Sequence, residues 1–433
     1  MRNLFLIAGF LVSSILIGQS NPIISGCITN APDTLSSVKV AYLKGKGLAV
    51  KQEIPVKNGC FEAAWEQEER GIFILYIDGE HTFDLVISNG NLTINADYND
   101  LVKVSLEGPG IEEFEGFKSL LSAKPEQTSI ERYLLGIMDP ALKDFLLPQI
   151  YPINPDTNVY WLRSHFWDYT SLYSKSTLIN PFFEKNRKVY YEQVLGHNPD
   201  SVIKHLNKLL NSPMDEQIRK VFISSATYHY ETSNYMGEDK VFVWLAQTFY
   251  NTGYADWVSK ENLAKIKEKS DGLSTELVGN KARDFAFDTQ SGGRMKLSEV
   301  QSPITILYFW DSTCGHCKKE TPRLKEFYDE YKNKGVEIVA LTLENEFTNW
   351  KKYIAENELD WINGFESDFE RPNFLWYYYI PTTPKKLVLG PDKTIIAKNL
   401  DVETTLRTFI DDYLKSRYVQ PRPQLILSPY LRI

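Results

Sequence analysis

Apolar and polar positions change rhythm twice along this chain. Over residues 21–107 they fall in short runs with strand character, at 23–24, 38–43, 48–56, 60–65, 72–77, 83–87, 92–96 and 102–106. Turn formers separate them at Asn58-Gly59, Asp78-Gly79 and Asn89-Gly90-Asn91. This predicts an all-β domain, an antiparallel β-sandwich or barrel. From 108 to 272 the spacing is helical. Stripes recur at Leu134/Leu135, Met138, Leu142 and Phe145/Leu146, over the aromatic segment 160–173, and at Val202, Leu206 and Leu209/Leu210. Another runs through Val241, Trp244/Leu245 and Thr248/Phe249. Prolines, among them Pro140, Pro181, Pro199 and Pro213, cut this helical domain into separate helices. The aromatic stripes are expected to be helix–helix contacts, with a substrate-facing groove as the alternative.

From 273 to 418 strands and helices alternate. A strand near 285–287 leads to a hairpin at Gly292-Gly293 and then to the apolar run 304–310. A helix follows with Leu324, Phe327, Tyr328 and Tyr331 on one face. A strand at 336–343, a helix at 347–357, strands at 387–389 and 394–397 and a helix at 402–414 complete the pattern. It predicts an α/β domain with a mixed sheet covered on both faces. Residues 419–433 read as an irregular C-terminal tail. Residues 1–20 read as a signal peptide: Arg2 precedes an apolar core at 4–17, and Gly18-Gln19-Ser20 offers a cleavage site after Ser20. The apolar core is short for a spanning helix. Ile24-Ser25-Gly26-Cys27 formally fits a lipidation box, but it stands apart from the apolar core and also fits a first strand. Export to the periplasm or cell envelope is the expectation.

Hydrophobic content of 43% is ample for cores in 433 residues, and the net charge of −8 argues against nucleic acid as a partner. Four cysteines are too few for a disulfide-stapled scaffold. Cys27 and Cys60 either pair, if their strands are neighbours, or remain two buried thiols. His165, His197, His205 and His229 show no paired ligand spacing, and no cofactor is expected.

The chemistry concentrates at Cys314-Gly315-His316-Cys317. An apolar strand and a short polar turn precede it, and a helix follows. Cys314 therefore falls at the first helical turn, where unpaired N–H groups and the helix dipole favour a thiolate. Cys317, one turn on, is close enough to close a ring and expel a mixed-disulfide partner. A zinc site would need two further ligands, and neither a second Cys-x-x-Cys nor a His-x-x-x-His is present, so no metal is expected.

On these residues the segment 278–416 resembles the thioredoxin fold of the TlpA/ResA-like exported thiol–disulfide oxidoreductases. The lead-in Gly279-Asn-Lys-Ala-Arg-Asp-Phe285 with Leu297, the Phe309-Trp310 pair and the cysteine motif carry the resemblance, together with Thr383-Pro384. The spacing of Ser25-Gly26 to Asn58-Gly59-Cys60-Phe61 is similar to that of an N-terminal domain of unknown function that precedes thioredoxin domains in such proteins. The resemblance implies a cis bond at Pro384, with Thr383 and Pro384 presenting backbone to a substrate strand. It implies that Glu320, three residues after Cys317, influences proton transfer. It also implies protein thiols or disulfides as partners and, for a reductase, a membrane-embedded electron donor. The Gly-His dipeptide is that of protein disulfide isomerases, where a protonated histidine such as His316 favours the reduced form. Isomerase and thioredoxin differ by ~90 mV, about 4 kcal/mol for two electrons, so the pair is expected to be less reducing than thioredoxin. Two positions depart from thioredoxin: Tyr308 replaces its buried strand Asp, and Thr313 replaces the Trp before the first cysteine.

The expected function is that of an envelope thiol–disulfide oxidoreductase with Cys314 as nucleophile and Cys317 as resolving thiol. A peroxidase of the peroxiredoxin type is disfavoured by Asp311 at the position three before Cys314 and by the distance of the nearest preceding proline, Pro303. The alternative from another class is an envelope ligand-binding protein that uses the thioredoxin domain as a scaffold.

Overall fold

The structure, a computed structural model, describes residues 21–44, 47–79, 81–151, 159–344, 347–366 and 374–418. The expected signal peptide and C-terminal tail lie outside them. The chain divides into two compact units. One holds the chain up to Gly196 together with His205–Phe222; the other holds His197–Lys204 together with the chain from Ile223 onward.

The first unit begins with β1 (Ile23–Thr29), β2 (Ser37–Lys44), β3 (Gly47–Pro55), β4 (Cys60–Ala64), β5 (Gly71–Tyr76), β6 (Thr82–Ile87), β7 (Leu92–Asp97) and β8 (Asp100–Glu107). They form two four-stranded sheets, ordered β4-β1-β7-β8 and β3-β2-β5-β6. Alternation decides the faces: Ile24, Gly26 and Ile28 of β1 turn inward. Gly26 is required there, because a Cβ would fall 2.3 Å from the Ile94 carbonyl oxygen of β7. The strands are not all antiparallel, as the sequence had suggested, for β1 and β7 pair in parallel. A hairpin cannot join two parallel strands, and here the chain runs through β2 to β6 before β7 comes to lie beside β1.

Asn58 and Gly59 both take positive φ, 51° and 74°, as a tight hairpin turn demands. The turn delivers Cys60 directly opposite Cys27 in the β1–β4 register. The two sulfurs are bonded. The disulfide leaves Cys27 no thiol to acylate, which sets aside the lipidation box. The apolar cluster of both sheets continues into helices: Ile111, Phe114 and Phe117 of α1 (Ile111–Ser122), Leu134 of α2 (Gln127–Gly136), and Leu142 and Phe145 of α3 (Pro140–Leu146) all join it. Between α4 (Val159–His165) and α5 (Pro181–Val189), Phe166 and Trp167 of the aromatic segment 160–173 pack as core, while Tyr160 and Tyr173 at its ends are exposed. Phe222 receives Trp167 and Phe183 edge-on at 4.9 and 5.2 Å.

Two helices, α6 (Pro199–Leu210) and α7 (Glu216–Glu231), are each divided between the units. The second unit continues with α8 (Asp239–Leu245) and α9 (Lys260–Ser274), then β9 (Ala286–Thr289), β10 (Arg294–Lys296), β11 (Ile304–Trp310), α10 (Gly315–Tyr331) and β12 (Val336–Thr342). It ends with α11 (Phe347–Glu356), β13 (Ile362–Phe365), α12 (Phe374–Tyr377), β14 (Lys385–Leu389), β15 (Ile395–Lys398) and α13 (Arg407–Tyr418). The sheet order is β10-β9-β13-β12-β11-β14-β15. Every residue of β11 is buried, with β12 parallel on one side and β14 antiparallel on the other. Its even-numbered residues, Ile304, Ile306, Tyr308 and Trp310, pack with Cys317, Leu324 and Phe327 of α10. Leu307 and Phe309 face the opposite cluster, with Phe285, Phe374 and Tyr378. This two-sided burial explains why β11 reads as a continuous apolar run.

The Cys27–Cys60 bond joins residues 33 apart in sequence. Its removal by a Cys27→Ala/Cys60→Ala double substitution is expected to destabilise the first unit by ~3–4 kcal/mol. Urea unfolding followed by far-UV circular dichroism checks it.

Candidate active site

The site forms where β11 ends. Asp311 Oδ1 accepts hydrogen bonds from the Thr313 N–H and O–H, both at 2.6 Å, and the Ser312 N–H donates to Glu344 Oε1 at 2.5 Å. These bonds fold the polar turn and set Cys314 as the N-cap of α10. The Lys318 N–H closes the first helical bond on the Cys314 carbonyl at 3.0 Å. Across from it, the Thr383–Pro384 peptide bond is cis. The Cys314 thiol donates to the Thr383 carbonyl oxygen at 3.5 Å.

The two cysteines stand as free thiols in contrasting surroundings: Cys314 is partly exposed and Cys317 is wholly buried. Burial opposes ionisation of Cys314, yet the Cys317 N–H, the Thr383 and Cys317 side chains and the His316 N–H together outweigh it and hold the thiol below its usual range. Burial pushes the Cys317 thiol the other way, up to about 12. At neutral pH one sulfur is the readier nucleophile and the other keeps its proton.

His316 is exposed on the first turn of α10, and Thr383 and Pro384 are half-exposed. Glu320, also half-buried, is bound by a partner that sequence reasoning missed: Lys386 Nζ donates to Glu320 Oε1 at 2.5 Å. Lys386 lies on β14 directly opposite Tyr308 of β11. Tyr308, at the position of the thioredoxin Asp, is fully buried, and its hydroxyl lies 3.0 Å from Thr321 Oγ1. Burial raises its phenol far above the ordinary value, so the group stays neutral. The signal for Lys386 was present in the sequence: Lys385-Lys386 immediately precedes three apolar strand residues and follows Thr383-Pro384. Both lysines belong to β14, which starts two residues before the predicted 387, and both are buried. Among the described residues, no group of three or more His, Cys, Asp or Glu could hold a metal ion.

A family profile described as thioredoxin-like matches residues 302–395. The chain is 24% identical over 170 residues to the thiol–disulfide oxidoreductase ResA of Bacillus subtilis, covering 39% of this chain and 83% of that protein. It is 36% identical over 124 residues to ResA of Oceanobacillus iheyensis, covering 28% of this chain and 65% of the relative. A solved domain of a possible thiol-disulfide isomerase from Cytophaga hutchinsonii is 35% identical and covers 33% of this chain and 97% of its own, with a TM-score of 0.31. The C-terminal domain is thioredoxin-like, and over it the chain is similar to the ResA thiol–disulfide oxidoreductases.

Alkylation of Cys314 by iodoacetamide is expected to accelerate with rising pH and to level off below the free-cysteine range near ~8.5. Cys317 should remain unmodified over the same range. Mass spectrometry of the two cysteines after timed labelling checks both.

Proposed function

We propose that this chain exchanges disulfides with protein substrates in the periplasm or cell envelope through Cys314 and Cys317. The observation that carries the proposal is the partly exposed Cys314 thiol at the α10 cap, bonded to the Thr383 carbonyl, with the buried Cys317 thiol one turn on. The Cys314 thiolate attacks one sulfur of a partner disulfide, and the other partner sulfur leaves as a thiolate and takes up a proton. Cys317 then loses its proton and attacks the Cys314 sulfur. The partner's second thiolate departs, and two electrons have passed from the dithiol to the partner.

Once Cys314 ionises, the Thr383 carbonyl loses its donor and is free to accept an N–H from the partner backbone. Thr383 and Pro384 thus hold the partner as an added strand. Glu320, one helical turn beyond Cys317 and hydrogen-bonded by Lys386, accepts the proton of the resolving thiol. His316 meets the partner at the exposed rim. Working as a reductase, the pair must be recharged, and a membrane-embedded electron donor fits a compartment without a large thiol pool.

The Cys27–Cys60 bond supports export, since such bonds persist in oxidising compartments. Among the described residues, no helix is long and apolar enough to cross a membrane. On this reading residues 21–107 form a β-domain, 108–272 a helical domain and 273–418 the catalytic domain, behind a signal peptide at 1–20.

Insulin reduction driven by a small dithiol tests the proposal. Cys314→Ser should abolish turnover beyond the uncatalysed rate, and unchanged turnover would sink the reading. In Cys317→Ala the mixed disulfide should accumulate, and mass spectrometry of the trapped adduct identifies the partner.

A further inference from the structure

Successive residues of β14 face opposite sides of the sheet. Lys386 turns to Glu320, and Lys385 turns the other way. There its ammonium donates to Glu276 Oε1 at 2.5 Å and to the Tyr379 carbonyl oxygen. Glu276 is fully buried and Lys385 nearly so. Glu276 follows α9 and precedes the segment matched by the thioredoxin-like profile. The residues around it grip the same loop. The Thr275 hydroxyl donates to the Tyr377 carbonyl at 2.9 Å. Gly272 packs so tightly that a Cβ would fall 2.7 Å from Tyr379 Cβ. One strand further out, Lys398 of β15 pairs with Asp239 of α8. Residues 378–384 themselves form no helix or strand, so their course depends on such anchors.

We infer that Glu276 is a positioning residue for disulfide exchange: by holding Lys385, whose ammonium also bonds the Tyr379 carbonyl, it fixes the loop that presents Thr383 and Pro384 to the partner backbone. The inference rests on the exchange function proposed above. A buried ion pair adds little stability over an apolar pair of the same volume. What it adds here is direction. One ammonium, bonded to a carboxylate and a loop carbonyl together, ties residue 379 to residue 385 across the turn that contains Pro384. Burial raises the Glu276 carboxyl and lowers the Lys385 ammonium, so each needs the other to stay charged.

The test uses the full chain with two substrates, insulin as a protein disulfide and an aromatic small-molecule disulfide that has no backbone to pair. Glu276→Ala should raise KM for insulin about ten-fold, the scale expected when a binding element is displaced. The rate with the small disulfide and the alkylation rate of Cys314 should stay within about two-fold, since neither uses the loop backbone. Glu276→Gln, which keeps the acceptor for Lys385, should recover most of the wild-type KM. Equal losses with both substrates, or an unchanged KM for insulin, would overturn the inference. If Glu276→Ala does not fold, the Glu276→Leu/Lys385→Met pair replaces it, and a folded double variant with wild-type KM overturns the inference equally. Failure of the wild type itself to reduce insulin removes the exchange reading instead.

Discussion

The pairing of β14 against β11 is the constraint on which the site depends. Phe309 stands opposite Lys385, so the start of one strand lies level with the end of the other. Antiparallel order therefore brings the Thr383–Pro384 loop to the place where β11 hands over to α10. Cys314 and Thr383, distant in sequence, meet at 3.5 Å for that reason. The register cannot slip, because β11 is buried on both faces. A shift by one residue would send Tyr308 and Trp310 into the cluster built for Leu307 and Phe309.

Two sulfurs one helical turn apart acquire opposite acidities from position alone. Cys314 is at the cap, beside unpaired N–H groups; Cys317 lies within an apolar cluster. The same economy governs the charges around them. Lys385 and Lys386 enter a buried strand only because each reaches a carboxylate, on opposite sides of the sheet. A single buried ammonium would cost several kcal/mol, on the order of what holds a domain folded. The strand that follows the Thr383–Pro384 loop is thereby tied to α10 on one face and to the segment after α9 on the other.

The first unit follows a different logic. One apolar cluster runs from β1 through both sheets and into α1, α2 and α3. The change from strand to helix periodicity near residue 107 marks a change of local structure within that cluster. The parallel β1–β7 pair depends on a close approach that Gly26 alone permits, and the β1–β4 pair is tied by Cys27 and Cys60.

Much of this was legible beforehand. Periodicity located the eight strands described in the first unit, and the strand–turn–helix setting of Cys314 placed it at a helix cap, because alternation, turn residues and helix caps act over a few neighbouring residues. Which strands would be neighbours was not legible. The parallel alignment of β1 with β7, the bonding of Cys27 to Cys60, and the partners of Lys385 and Lys386 all join segments far apart in sequence. Glu276 gave no local sign, being one acid among many until the fold buried it against Lys385. By itself the sequence determined which residues could be reactive and which faces must be buried. Only the tertiary structure decided which of them meet, because that choice is made by the packing of the whole core and by the need of every buried charge for a counterpart.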